Sequence, residues 1–200
     1  MGRREEHKAA TRKTLQDTAR RLFAEHGYTR TTVRDIAAAA GVTERTFFRY
    51  FPSKEDLVLG EILDLIPELQ DAVRARPDAE PPYTAVFNAL LTLADKRDSG
   101  LAVLFSGPPA RFLSQPTRPA WPVLLELETG LADVLADRLR ASGEDDDHLD
   151  LRATVLARAC VAAMRSTVFA LSTLPEQERS LDKALHLAHR AFTALGHGVR

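Results

Sequence analysis

Apolar residues recur along this chain at intervals of three and four, and no stretch alternates apolar with polar for long. That spacing predicts helices, and no hairpin dipeptide joins two β-branched runs. A first helix spans about 8–26: Leu15, Ala19, Leu22 and Phe23 form one stripe, and Gly27 is placed to end it. Thr32 caps a second helix over 33–40, and Asp35 completes a capping pattern. Gly41 ends that helix and Val42 turns inward. Thr43 caps a third helix over 44–51, and Pro52 stops it. Ser53 and Asp56 repeat the capping pattern for a fourth helix, from Lys54 to about Ile66, which leads toward Pro67.

The remainder reads as helices with proline-marked joints. ARPDAEPP (75–82) is a linker or loop, and a helix follows over 83–96. A segment over 101–115 is broken at GPP (107–109). Further helices are expected over 122–141, 148–172 and 181–196, with the acidic run GEDDD (143–147) before the second of these. The expected fold is all-α, without repeats or low-complexity tracts.

Composition adds limits. A chain of 200 residues, 44% hydrophobic and 28% charged, buries a real core and is ordinary for a globular protein. No run of about 18 apolar residues is present, so no membrane partner is expected. MGRREEHKAA lacks the apolar region and cleavage site of a signal peptide. The single Cys160 forms no internal disulfide and fits a reducing compartment, so a cytoplasmic location is expected. The net charge of −1 hides an asymmetry. Residues 1–54 hold 12 Lys/Arg and 6 Asp/Glu, a net +6; residues 55–200 hold 15 and 22, a net −7. The first part suits a polyanion and the second does not.

That basic part contains GVTERTFFRYFPSK (41–54), with four aromatic residues in five positions. Wound on a helix, Phe47 and Phe51 share one face, Arg45 and Arg49 another, Thr46 and Tyr50 a third. Phe47 and Phe51 can plug into a small core made by the first two helices, which leaves Arg45, Thr46, Arg49 and Tyr50 outward and Phe48 between. A helix, a tight glycine turn and a second helix with outward Arg and Thr is the helix-turn-helix arrangement. Arg can pair with both major-groove acceptors of guanine, while Thr, Tyr and Lys can bond phosphate oxygens. A three-helix core with a charged rim is the plainer alternative.

TTVRDIAAAAGVTERTFFRYFPSKEDL (31–57) resembles the DNA-binding signature of the TetR (tetracycline-repressor-like) family of bacterial regulators. The signature runs Thr-Thr, then a helix ending Ala-x-x-Ala-Gly-Val, then a short helix ending aromatic-x-aromatic-Phe, and last a Lys opening the next helix. The match covers about 8–60. The resemblance implies a helix-turn-helix DNA-binding domain over 1–54 and a helical ligand-binding and dimerisation domain over 55–200. It also implies base contacts from Arg34, Glu44 and Arg45. Phosphate or groove contacts fall to Thr32, Thr43, Thr46, Phe48, Arg49, Tyr50 and Lys54. Phe48 stands where the family often has Tyr; without the hydroxyl it meets a thymine methyl or packs. Glu44 either accepts from cytosine N4 or supports its own helix N-terminus.

The second half is expected to supply pairing and an input. The helix over 148–172 has a narrow polar stripe, so it needs two apolar partners. The last helix repeats apolar residues at 181, 185, 188, 192 and 195. Family members pair as homodimers through such helices, which puts Leu156, Cys160, Ala163, Leu181, Leu185, Ala188 and Phe192 at an interface. The alternative is burial within one subunit. A pocket for a small hydrophobic or amphipathic ligand is expected between 83 and 169. Its candidate lining is Phe87, Leu91, Phe105, Phe112, Trp121, Leu124, Met164 and Phe169; plain core is the alternative. Asp182, His186 and His189 share one helix face but lack a fourth ligand, so neither a metal nor another cofactor is expected. No Ser-His-Asp order, carboxylate pair or phosphate loop points to catalysis. The expected function is a ligand-responsive regulator, most plausibly a repressor, binding a palindromic duplex operator as a dimer. A helical enzyme or carrier acting on a hydrophobic molecule is the runner-up, and a module whose basic head meets a protein or membrane surface is the third.

Overall fold

A computed structural model describes residues 2–95, 120–143 and 147–198. All regular structure among them is helical: α1 (Arg3–His26), α2 (Val33–Ala39), α3 (Glu44–Tyr50), α4 (Lys54–Arg74), α5 (Pro82–Ala94), α6 (Ala120–Ala141), α7 (Leu149–Ser172), a 3-10 turn at Glu176–Glu178, and α8 (Leu181–Gly198). The expected segment over 101–115 lies outside the described residues, as do Phe105 and Phe112.

The chain buries two apolar clusters, and α4 belongs to both. The first gathers Leu15, Leu22 and Phe23 of α1, Ile36 of α2, Phe47 and Phe51, and Leu57 and Val58 of α4. The second starts one residue later, at Leu59, and continues through α5, α6, α7 and Phe192 of α8. The head core thus borrows residues beyond the boundary expected at 54.

The structure moves two helix boundaries, since α1 begins at Arg3 rather than near 8. α4 does not end before Pro67 but runs on to Arg74 with Pro67 inside it. A proline there removes one helical hydrogen bond and costs roughly 3 kcal/mol. The ring faces solvent, while Leu65, Ile66, Leu69 and Val73 on the opposite side are buried against α5 and α6. Burying each of those side chains returns about 1.5–3 kcal/mol, enough to hold the helix together.

The loop after α4 is pinned. Arg138 of α6, itself buried, donates from Nη1 to Val73 O and Arg76 O at 3.2 and 2.8 Å, and from Nη2 to Pro77 O and Glu80 O at 2.6 and 3.4 Å. Carbonyls freed at the end of α4 are satisfied by one guanidinium. α7 is long and apolar enough to cross a bilayer by length and composition, but it packs between α6 and α8 as a core helix does.

Candidate nucleic-acid interface

Local chemistry builds the head. The Thr32 hydroxyl accepts from Asp35 N at 3.1 Å, and the Asp35 carboxylate accepts from Thr32 N at 2.9 Å, a complete capping box. The Thr32 hydroxyl also donates to Asp35 Oδ2 at 2.7 Å, and that bond, with the one from Thr32 N, holds the Asp35 carboxyl below its ordinary value. Gly41 then reverses the chain at φ 69°, in the left-handed region, and Val42 N donates back to Ala37 O at 2.9 Å. Thr43 accepts from Thr46 N at 3.1 Å and opens α3.

On α3 the rings and charges separate. Phe47 and Phe51 are fully buried, with ring centroids 5.8 Å apart. Arg45, Arg49 and Glu44 are exposed, as are Arg34 and Thr32 of the preceding helix and cap, and Thr43 at the start of α3. No ion pair among the described residues engages Arg34, Arg45 or Arg49; Arg49 lies 5.2 Å from the Tyr50 ring. Phe48 is half exposed, and Thr46 and Tyr50 are half-buried at the rim. The exposed members lie on α2, on α3 and on the caps that open them.

Lys54 stands apart from this surface. Its ammonium donates to Tyr28 O and Thr31 O, both at 2.8 Å, and sits 3.9 Å over the Tyr28 ring. Burial lowers its pKa, against the pull of Glu55. The Tyr28 hydroxyl donates to Glu55 Oε1 at 2.8 Å; burial and that bond raise the tyrosine's pKa. Lys54 therefore clamps the α1–α2 turn, where the sequence suggested a phosphate contact, because its aliphatic stem and two carbonyls lie closer than solvent.

Sequence reasoning also missed the polar seam between α1 and α4. Gln16 Nε2 donates to Asp64 Oδ2 at 2.7 Å, Arg20 Nε lies 3.2 Å from Glu61 Oε2, and Arg12 covers the Phe51 ring at 4.7 Å. Gly60 leaves room for Arg12, since a Cβ there would stand 2.8 Å from its guanidinium. Burial raises the Glu61 carboxyl to about 7, opposed by Arg20 and aided by Asp64 and Asp17. A signal was present: Arg12, Gln16 and Arg20 are spaced by four beside the apolar stripe of α1, and Gly60, Glu61 and Asp64 answer them on α4.

In the body an apolar cavity of about 60 Å³ lies between α4, α5, α6, α7 and α8. Phe87 and Met164 line it as expected, with Leu90 and Leu127. Leu124 is buried in the core and Leu91 is half-buried, and neither lines the cavity; Trp121 and Phe169 are 61% and 53% exposed. The remaining wall comes from α4, from Thr167 and Val168 of α7, and from Leu185, Ala188 and Phe192, three residues expected at a dimer interface. Cys160 and Ala163 are likewise buried inside the subunit, and burial pushes the Cys160 thiol up to about 12. Leu156 and Leu181 are half-buried, and Leu156 packs against the core. Within the subunit α7 and α8 pack on each other, and both meet α5. The exposed apolar positions of α7 are Leu151, Val155, Ala162 and Phe169, one residue from two of those expected, a turn of about 100°. Among the described residues no three His, Cys, Asp or Glu side chains gather as a metal site.

The family model described as "Bacterial regulatory proteins, tetR family" matches residues 15–60, the segment that forms this head. Residues 15–60 carry the DNA-binding segment of the TetR family. The HTH-type transcriptional regulator TcmR of Streptomyces glaucescens is 40% identical over 88 residues, 44% of this chain and 39% of TcmR. The HTH-type transcriptional repressor KstR2 of Rhodococcus jostii is 36% identical over 101 residues, 48% of this chain and 49% of KstR2. The chain thus spans half or less of the length of these curated relatives. Among solved structures, Thermus thermophilus FadR, a TetR family transcriptional repressor in complex with lauroyl-CoA, superposes with a TM-score of 0.61 at 22% identity, covering 94% of this chain and 95% of that one. This likeness is one of fold.

Proposed function

We propose that this chain is a TetR-family transcriptional repressor that binds a palindromic operator as a homodimer in the cytoplasm and is released by a small apolar or amphipathic ligand. One observation carries the reading: α3 buries Phe47 and Phe51 and leaves Arg45 and Arg49 exposed outside any ion pair, beside exposed Arg34. Free guanidinium groups on a short helix after a glycine turn suit the major groove. Glu44 and Arg45 reach base edges with Arg34, while Thr32, Thr43, Thr46, Phe48, Arg49 and Tyr50 meet the backbone or groove wall. The relatives' names as regulators and repressors support a non-enzymatic role. The lauroyl-CoA held by the FadR fold relative supports a ligand in the body.

Pairing follows from α7. Leu151, Val155, Arg158, Ala162, Arg165 and Phe169 recur at alternating steps of four and three, the seam spacing of packed helices. A second copy covers this stripe and sets two heads about 34–36 Å apart.

The test is duplex binding against salt, with DNA from the region upstream of the protein's own coding sequence. Affinity is expected to fall steeply with salt and to exceed that for random duplex by about 10³-fold or more. Equal affinity for both duplexes removes the repressor reading and favours a basic surface for another partner.

A further inference from the structure

α4 passes from one core to the other in a single step: Val58 belongs to the head and Leu59 to the body. Two residues further on, Glu61 is 6% exposed and is the only buried acid among the described residues. Here α1, whose apolar stripe belongs to the head, meets the stretch of α4 that belongs to the body. Among the described residues none of α1 belongs to the body core. The side chains that meet are polar: Gln16 donates to Asp64, Arg20 pairs with Glu61, and Arg12 reaches in beside Gly60. Polar contacts rather than packing therefore seat α1 on this stretch.

The seam is short of donors for Glu61. Arg20 faces both Glu61 and Asp17, and Lys13 also pairs with Asp17, at 3.2 Å. Asp64, on the same helix as Glu61, takes the Gln16 amide. Arg12 stands over the Phe51 ring. Glu61 Oε1 is buried with no hydrogen-bond partner among the described residues. A charged carboxyl in that place is poorly solvated, and a proton removes the deficit. Burial raises this carboxyl to about 7, with Arg20 and Lys13 opposing and Asp64 and Asp17 aiding.

We propose that the α1–α4 seam is a proton-operated joint: a proton on Glu61 keeps α1 seated on α4, and its loss loosens the head. The consequence for DNA rests on the repressor and homodimer reading above. Both heads must sit at the operator spacing, so a loosened head lowers the competent fraction and the affinity with it. By reciprocity, operator binding takes up protons near neutral pH.

Spin labels read the joint without DNA. Ala9→Cys on α1 and Glu68→Cys on α4 place them at exposed positions, while Cys160 is buried. Labelled protein is diluted with unlabelled protein so that each pair reports one subunit. The separation is expected to be narrow at pH 6 and longer or broader at pH 8, and to stay narrow at both in Glu61→Gln. Affinity for the upstream duplex is expected to fall tenfold or more from pH 6 to pH 8, while Glu61→Gln keeps its pH 6 value. Exposed His7 and His26 are common to both proteins, so the comparison removes their effect. A separation independent of pH, or a transition unchanged in Glu61→Gln, overturns the joint. If Glu61→Gln does not fold, Asp64→Asn decides: it removes a neighbouring negative charge, and a transition that does not move to lower pH overturns the joint equally. Labels that respond beside a duplex affinity flat in pH overturn the coupling to DNA. Labels that respond with no duplex bound at any pH sink the repressor reading and leave the joint standing.

Discussion

The Lys54 ammonium has two of its donors engaged by Tyr28 O and Thr31 O, and that alone predicts an unusual variant. Lys54→Met leaves two turn carbonyls without partners and is expected to lower stability by about 1–3 kcal/mol, read by chemical unfolding. Operator affinity falls with it, but the slope of log affinity against log salt stays constant, because no phosphate partner is lost. Arg49→Gln is expected to behave in the opposite way, with intact stability and a slope smaller by about 0.9 for each phosphate released. A reduced slope in Lys54→Met returns that lysine to the backbone contacts. Arg45→Ala is a third kind of change: footprinting on operator variants is expected to show discrimination at one base pair reduced by about 1–3 kcal/mol.

At the scale of elements, the seam between α1 and α4 is the least ordinary feature. Glu61 is buried beside Arg20, Asp64, Asp17 and Lys13, and its carboxyl is raised to about 7. A raised value means the native state holds a proton that the unfolded chain releases near its ordinary 4.5. This contribution is full below that lower value and is lost as pH rises through about 7. Glu61→Gln removes the titration. Its stability relative to the unmodified protein is expected to grow by about 1–3 kcal/mol between pH 5 and pH 8 in thermal melts. A difference that does not change with pH rules out a buried, shifted Glu61. The same seam joins α1 to α4, the helix whose stretch from Ile62 to Leu69 walls the cavity.

For the whole molecule, the proposed pairing puts a second copy on the exposed stripe of α7. Val155 is 57% exposed and Leu151 64% exposed on a helix whose other side is core. Val155→Glu is expected to convert the dimer to monomer in light scattering and to abolish tight operator binding, while helix content is unchanged. A dimer that persists in this variant places the contact elsewhere. Cys160→Ser, buried in the subunit core, is expected to cost stability without altering assembly.

The order and caps of the head helices were legible in the residues, because they depend on contacts three or four positions apart. Thr32 with Asp35, Gly41 at positive φ and the inward Phe47 and Phe51 are of this local kind. Lys54 was not, since Tyr28 and Thr31 come near it only when α1 and α4 pack. Pro67 was misread for a related reason: local chemistry argues for a break, and burial of Leu65, Ile66 and Leu69 overrides it. Periodicity also gave α7 and α8 their apolar stripes without saying which stripe meets which neighbour. A helix pattern fixes what must be covered; only the tertiary arrangement decides whether a stripe meets the same subunit, the wall of a cavity or another copy. That choice depends on rotation about the helix axis, and one residue changes it by about 100°.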